Sequence, residues 1–210
     1  MAEVLITLGI IGVVAALTAP ALTKNTGQAK IGPALSKFVN TFEVATEQLM
    51  NDRNVDKLTS EVPNAKELGG ALANYIIMSP YNETFSISAP NGTASETPVG
   101  AKYRLKDGSI VVFEWLAIDA KFKGASGAFK GPIATVYVDI NGNTAKGNKA
   151  GKDVFAFLID NAGFLVPIGS NMQKQAYGGT PPACNIQGTT VAAGFGCTGK
   201  IADNNWKADY

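Results

Sequence analysis

The spacing of apolar residues along this chain changes three times, and each change marks a different kind of element. From Val4 to Leu22, in VLITLGIIGVVAALTAPAL, no side chain is charged, and Glu3 stands directly before the run. Nineteen residues at about 1.5 Å each make a helix of roughly 28 Å, close to the ~30 Å hydrocarbon core of a bilayer. A helix buried in a globular core is one alternative, but such a helix rarely lacks a polar face for five turns. A cleavable secretory signal is another, and it needs basic residues in front, where this chain has Glu3 and no Lys or Arg.

Beyond Pro20 the helical period returns in amphipathic form. Ile31, Leu35, Phe38, Phe42, Ala45 and Leu49 recur at steps of four and three, while Lys37, Asn40, Glu43, Glu47 and Gln48 fall off that stripe. A single apolar seam predicts a helix that packs on its own domain. Gly32-Pro33 interrupts the pattern and predicts a kink or local break. Residues 79–100, SPYNETFSISAPNGTASETPVG, carry three prolines and two glycines and read as surface loop. Asn82-Glu-Thr and Asn91-Gly-Thr fit the N-glycosylation acceptor pattern, which is frequent by chance.

From Ala101 the period drops to two. KYRLKDGSIVVFEW places a Lys-Asp-Gly-Ser turn between two strand-like arms, TVYVDINGN puts Asn141-Gly142 after a β-branched run, and DVFAFLIDNAGFLVPIG reads as strand, turn, strand. The expectation is a meandering antiparallel sheet of four or five strands, with irregular chain from Ser170 onward. The predicted fold is α+β: a long N-terminal helix packed on an antiparallel sheet, with a closed C-terminal loop. Its parts are an apolar helix (1–24), an amphipathic half of the same spine (25–52), a connecting region (53–100) and a head domain (101–210).

Composition narrows the chemistry. The chain has 210 residues, no histidine and a net charge of +1. This excludes histidine-based triads and the common zinc and haem sites, and gives no reason to expect strong attraction to nucleic acid. Cys184 and Cys197, with no CxxC spacing, read as one disulfide, with buried free thiols as the alternative. Closing such a loop contributes about 3 kcal/mol through chain entropy. A disulfide implies an oxidising compartment. Lys24 and Lys30, following the apolar run, would instead hold the domain in the cytoplasm if the run were a simple anchor. A basic leader removed from the front of the chain reconciles the two.

Asp139, Asn141 and Asn143 form a D-x-N-x-N start of the kind found in calcium loops. An EF-hand needs Gly at its sixth position and Glu at its twelfth, and this chain has Thr144 and Ala150 there, so that motif is excluded. An ordinary Asn-Gly turn is the expected reading, and a calcium site that Asp153 or Asp160 would help complete is the alternative, raised by the resemblance given below. Lys121-Phe122-Lys123 with Lys130 is a small basic patch that could touch DNA or an acidic surface, or be plain solvated loop. No nucleophile–base pair or phosphate-binding glycine loop is present, so no enzyme is expected.

The opening stretch AEVLITLGIIGVVAALTAPAL resembles the N-terminal assembly motif of type IV pilins and of type II secretion pseudopilins. VDINGNTAKGNKAGKDVFAF, the closing NNWKADY and the cysteine loop are more weakly similar to stretches of longer bacterial proteins that carry this motif. The resemblance implies a leader ending in glycine that a prepilin peptidase removes, a methylated new N-terminus, and an inner-membrane assembly platform as partner. The family's glutamate has four residues before it, whereas Glu3 has two, while the spacing from Glu3 to Pro20 matches. Two residues, Phe-Thr or similar, are therefore expected ahead of Met1. The resemblance assigns Glu3 as a register key that pairs with a neighbouring subunit's N-terminal amine. It implies that the helix between Gly12 and Pro20 melts on assembly, whereas Gly9, Gly12 and other small residues also suit close helix packing. Some pseudopilins hold calcium near the position of Asp139. The implied function is a structural homo-oligomer, a pilin stored in the inner membrane and polymerised into an extracellular filament. A secretion pseudopilin is the near alternative, and a monomeric membrane-anchored binding protein the distant one.

Overall fold

The computed structural model describes residues 2–115, 132–142, 144 and 147–210, and for residues 2–6, 15, 17–27, 65 and 115 the backbone alone. The apolar run and the amphipathic stripe form one helix, α1 (Ala2–Arg53). Of the stripe, Ile31, Leu35, Phe42, Ala45 and Leu49 are buried and Phe38 is half-buried, and Val39, which the stripe does not include, is buried beside them. The break expected at Gly32-Pro33 does not occur, because the helix continues through it. An interior proline costs about 3 kcal/mol, and the burial of Ile31 and Leu35 on either side offsets it. Gly32 has a separate reason to be glycine. The Trp206 backbone crosses α1 so closely here that a Cβ would overlap the Trp206 carbonyl. The Gln28 side-chain amide donates to the Tyr210 carbonyl (2.5 Å), and the Tyr210 hydroxyl donates to the Gly151 carbonyl (2.5 Å). Residues 204–210 thus strap α1 to the domain.

After α1 come a 3-10 turn (Leu58–Ser60) and α2 (Ala65–Leu72). Asn64 caps α2 by accepting from the Glu67 backbone N–H, and its amide donates back to the Glu67 carboxylate, which satisfies an otherwise orphaned donor at the helix start. Strands β1 (Met78–Pro80), β2 (Ile87–Ser88), β3 (Ser95–Glu96), β4 (Ala101–Leu105), β5 (Ile110–Trp115), β6 (Ala134–Asp139), β7 (Asn148–Lys149), β8 (Val154–Ile159) and β9 (Leu165–Pro167) follow. The chain then forms α3 (Asn171–Tyr177) and α4 (Val191–Asp203).

Six strands, one more than the upper expectation, build the main sheet in the order β1-β4-β5-β6-β8-β9, every neighbouring pair antiparallel. The β4–β5 and β8–β9 turns lie where the sequence places them. In the second, the Asp160 carboxylate accepts from the Ala162 and Phe164 backbone N–H groups, and Gly163 takes the positive φ (89°) that closes it. Both faces of the sheet are covered. Val111, Phe113, Val136, Val138, Phe155 and Phe157 face α1 and α2, and Phe38 and Phe42 of α1 stack on Phe157 and Phe113 at 5.9 Å. Ile110, Val112, Tyr137, Val154 and Ala156 face the other way, against Val191 and Phe195 of α4 and against Tyr81, Phe85 and Ile87.

That second layer corrects two expectations. Residues 79–100 are not simply surface loop, since Tyr81, Phe85, Ile87 and Ala89 are buried and β2 joins β3 and β7 in a small three-stranded sheet. Nor is the chain irregular after Ser170, because α4 runs through the glycine-rich VAAGFGCTGK. Each interior glycine costs a helix up to ~1 kcal/mol, which hides α4 from a propensity reading. The glycines serve close approach: a Cβ at Gly194, Gly196 or Gly199 would meet the backbone of Ala150, Ala183 or Gly169.

Cys184 and Cys197 are bonded, as expected, and Cys197 is fully buried on α4. The bridge ties the segment before α4 to the layer on the outer face of the sheet. Replacing both cysteines with alanine is expected to cost about 3 kcal/mol, the chain-entropy value for a loop of this size. Urea unfolding of the wild type, with and without reductant, and of the double variant measures it. A loss under 1 kcal/mol would mean that α4 holds itself in place by packing alone.

Candidate functional site

Glu3, Gly9, Gly12 and Pro20 all lie on α1, and its backbone is helical throughout Gly12–Pro20. The Glu3 and Pro20 side chains are outside the described residues. Around Gly9 and Gly12 the space is open, with nothing within 4 Å of a Cβ at either position. Leu8, Ile10, Ile11 and Val13 are 60 to 64% exposed. These four residues point in different directions around the helix axis, so no single packing face covers them. Fully removing such side chains from water is worth up to about 1.5–3 kcal/mol each, and a helix apolar on all sides belongs inside a larger apolar body. Among the described residues no helix is long and apolar enough to cross a membrane.

Further along, between Gln28 and Arg53, one side of α1 is sealed to the domain. Thr46, fully covered, donates from its hydroxyl to the Gly163 carbonyl (3.0 Å), and the Glu43 carboxylate accepts from the Leu165 backbone N–H (3.1 Å). Burial pushes the Glu43 carboxyl above its ordinary value, the Leu165 hydrogen bond opposes that, and the Asp160 charge adds to it. These contacts set which face of α1 meets the domain.

On the flank of α1 next to the buried stripe lies a groove of about 620 Å³. Phe38, Phe42, Val138 and Ile140 are among its lining residues, Ile76 and Ile77 form one wall, and Lys37, Lys106 and Asp107 contribute its charges. Lys37 and Asp107 form an ion pair at 3.7 Å. Desolvation pushes the Asp107 carboxyl up, but the Ser109 hydroxyl and backbone N–H and the Lys37 ammonium outweigh it, so the group stays below its ordinary value. The sequence reading did not find this groove. Lys37 and Lys106–Ser109 stand 69 positions apart in the chain, and only the β4–β5 turn reaching back to α1 joins them. The apolar pair Ile76-Ile77, of which Ile77 is 70% exposed, was the one local signal.

Asp139, Asn141 and Asp153 do come together. Asn141 donates from its side-chain amide to the Asp153 carboxylate at 3.0 Å. Asp139, wholly buried, uses one oxygen to accept from the Asn141 and Gly142 backbone N–H groups at 3.1 Å each, and its other oxygen has no hydrogen-bond partner. This is the geometry of an Asn-Gly turn. Among the described residues no three His, Cys, Asp or Glu side chains are grouped as a metal ion would need. Asn143 lies outside the described residues, as does the basic patch Lys121, Phe122, Lys123 and Lys130.

Burial raises the Asp139 carboxyl above its ordinary 3.8, and the Asp153 charge adds to the shift, while the two backbone hydrogen bonds and Arg104 oppose it. A carboxyl with a raised folded-state pKa binds its proton more tightly in the folded protein. Its ionisation therefore costs stability as pH rises from about 4 through the raised value, and acid restores that stability. Asp139→Asn is expected to remove this slope, so that the variant gains on the wild type at pH 7 and the gap narrows toward pH 4. Thermal melts across that range check it, and a gap that widens on acidification would reverse the sign.

No family model, no curated protein and no solved structure matches this chain.

Proposed function

We propose that this chain is a structural subunit of a type IV pilus that polymerises through the N-terminal segment of α1 into an extracellular filament. One observation carries the reading: a helix, apolar and exposed on all sides from Leu8 to Val13, is continuous with the amphipathic stretch that packs on the domain. Such a helix has to be covered by something outside its own domain. Glu3, the one charged side chain between Met1 and Thr23, then acts as the register key, pairing with the N-terminal amine of a neighbouring copy rather than taking part in a reaction. Before assembly the segment resides in the inner membrane. In the filament it forms the core, and the sheet with the disulfide-closed layer forms the outside. A prepilin peptidase and an inner-membrane assembly platform are the partners this reading requires. It assigns the chain no catalytic role and no cofactor.

The test is peptide mass spectrometry on filaments sheared from the cell surface and washed. If this chain dominates them, it is the fibre subunit, and its N-terminal peptide shows whether residues precede Met1 and whether the amine is methylated. If it is absent from them yet abundant in the membrane fraction, the secretion pseudopilin becomes the better account.

A further inference from the structure

We infer that the groove beside Lys37 is a lateral docking surface between copies of this chain, and that its occupant is the β8–β9 turn of a second copy, with the Phe164 ring on the apolar floor. The inference rests on the filament reading above and adds to it a contact between neighbouring domains, outside the core of N-terminal segments.

Groove and turn lie on opposite flanks of α1. At 3.6 residues per turn, positions 34, 37 and 41 fall on one side of the buried stripe, and positions 43, 47 and 50 on the other. The contacts agree. Ala34, Lys37 and Thr41 line the groove, whereas Glu43 and Thr46 bond to Leu165 and Gly163 of the turn. Strand order separates them in the same way. The groove takes Ile77 and the β4–β5 turn from the β1–β4 side of the main sheet, and the other turn joins β8 to the edge strand β9. One molecule therefore cannot seat its own turn in its own groove. Two copies side by side with α1 parallel, as a shared core of N-terminal segments requires, bring one to the other. The turn meets α1 roughly seven residues beyond the groove, or about 10 Å along the helix, so each docked copy is stepped by about that distance. Because the two surfaces differ, the contact is heterologous and repeats along an open fibre unless the rotation closes it into a ring.

The chemistry of the two surfaces is complementary. Phe164 is 57% exposed, yet the turn that presents it is held: the Asp160 carboxylate accepts from the Phe164 and Ala162 backbone N–H groups, and Gly163 is bonded to Thr46. It is an aromatic knob on a fixed base, the kind of side chain that anchors a contact when it fills an apolar pocket. The groove offers such a pocket, with Phe38, Val138 and Ile140 on its floor and Ile77, 70% exposed, on its wall. Charge selects the pairing. The groove carries Lys37 and Lys106 against Asp107, which the Ser109 hydroxyl and backbone N–H already hold. The Lys37–Asp107 pair is solvated, with side chains 72% and 54% exposed, and holds the lysine weakly. The opposite flank carries Glu43, Glu47 and Asp160, with Glu47 exposed. Groove against turn sets basic beside acidic, whereas groove against groove would set lysine beside lysine.

The experiment uses the full chain in cells that make filaments. In the first arm, Phe164→Glu is expected to lower sheared-filament yield at least ten-fold while the detergent-extracted protein melts as the wild type does. Wild-type yield overturns the inference and leaves the filament reading intact. In the second arm, Ile77→Cys with Phe164→Cys is oxidised in intact filaments. A ladder of cross-linked dimers, trimers and longer species supports the inference, and it decides the matter where Phe164→Glu alters melting. Co-expressed single variants are expected to give dimers without a ladder, and diluted with wild type they replace the double variant where that chain forms no fibre. Intact fibres without these cross-links overturn the inference, as does cross-linking of Ile77→Cys to a different protein. If the wild type yields no fibre containing this chain, the filament reading fails and the inference falls with it.

Discussion

Glu3→Ala is expected to abolish filaments if this chain is the proposed fibre subunit, while the protein still enters the membrane and its domain melts at the wild-type temperature. The size of the effect follows from where the carboxylate stands. Beside a helix with no other charge for twenty residues, an ionised carboxylate costs about 2.5–3.5 kcal/mol near the centre of an apolar layer, and less at its edge. Inside a bundle of such helices the cost is recovered only where a cation meets it, so a copy at any other axial position is penalised. Alanine removes the penalty and with it the discrimination among positions. The domain is not expected to feel the change, because among the described residues its core and the Gln28–Tyr210 hydrogen bond lie between Gln28 and Tyr210. Filament yield by shearing, membrane fractionation and thermal melting of the extracted protein make up the test, and normal fibres from the variant would end the register-key account.

Phe42→Ala is the matching experiment on stability, with the opposite expected pattern. Phe42 is 1% exposed, lies 5.8 Å from the Phe38 ring and 5.9 Å from the Phe113 ring, and joins α1 to the middle of the sheet. Truncating a buried phenylalanine costs about 3–5 kcal/mol through lost transfer energy and the cavity left behind. For a chain of this size that lowers the melting temperature by roughly 6–20 °C. Val44→Ala, on the same helix but 52% exposed, should stay within about 0.5 kcal/mol. Comparable losses from the two would show that α1 is not seated on the sheet by this stripe.

The stripe Ile31, Leu35, Phe38, Phe42, Ala45, Leu49 was legible because it repeats at the helical period, and each member packs on or in the same core. The β4–β5 and β8–β9 turns were legible because Asp-Gly and Asn-Ala-Gly sequences state their backbone geometry locally. Alpha4 was not, since Gly194, Gly196 and Gly199 lower helix propensity in isolation and make sense only against the backbones of Ala150, Ala183 and Gly169. Residues 79–100 misled for a related reason. Prolines and hydroxyl side chains mark irregular chain, and irregular chain is usually exposed, yet Tyr81, Phe85 and Ile87 cover a sheet face that would otherwise meet water. At Gly32-Pro33 the local preference for a break lost to the packing of the turns around it.

By itself the sequence determined the apolar segment and its lone carboxylate, the seam of α1 and the turns of the main sheet, and it favoured the pairing of the two cysteines that the structure shows. Each of these depends on neighbours within a few positions, or on there being only two candidates. Tertiary structure alone decided that both faces of the sheet are covered, that residues 204–210 cross α1 at Gly32, and that Lys37, Ile77 and Lys106 border one groove. Those arrangements join residues tens to more than a hundred positions apart, and no local periodicity encodes which distant surfaces will meet.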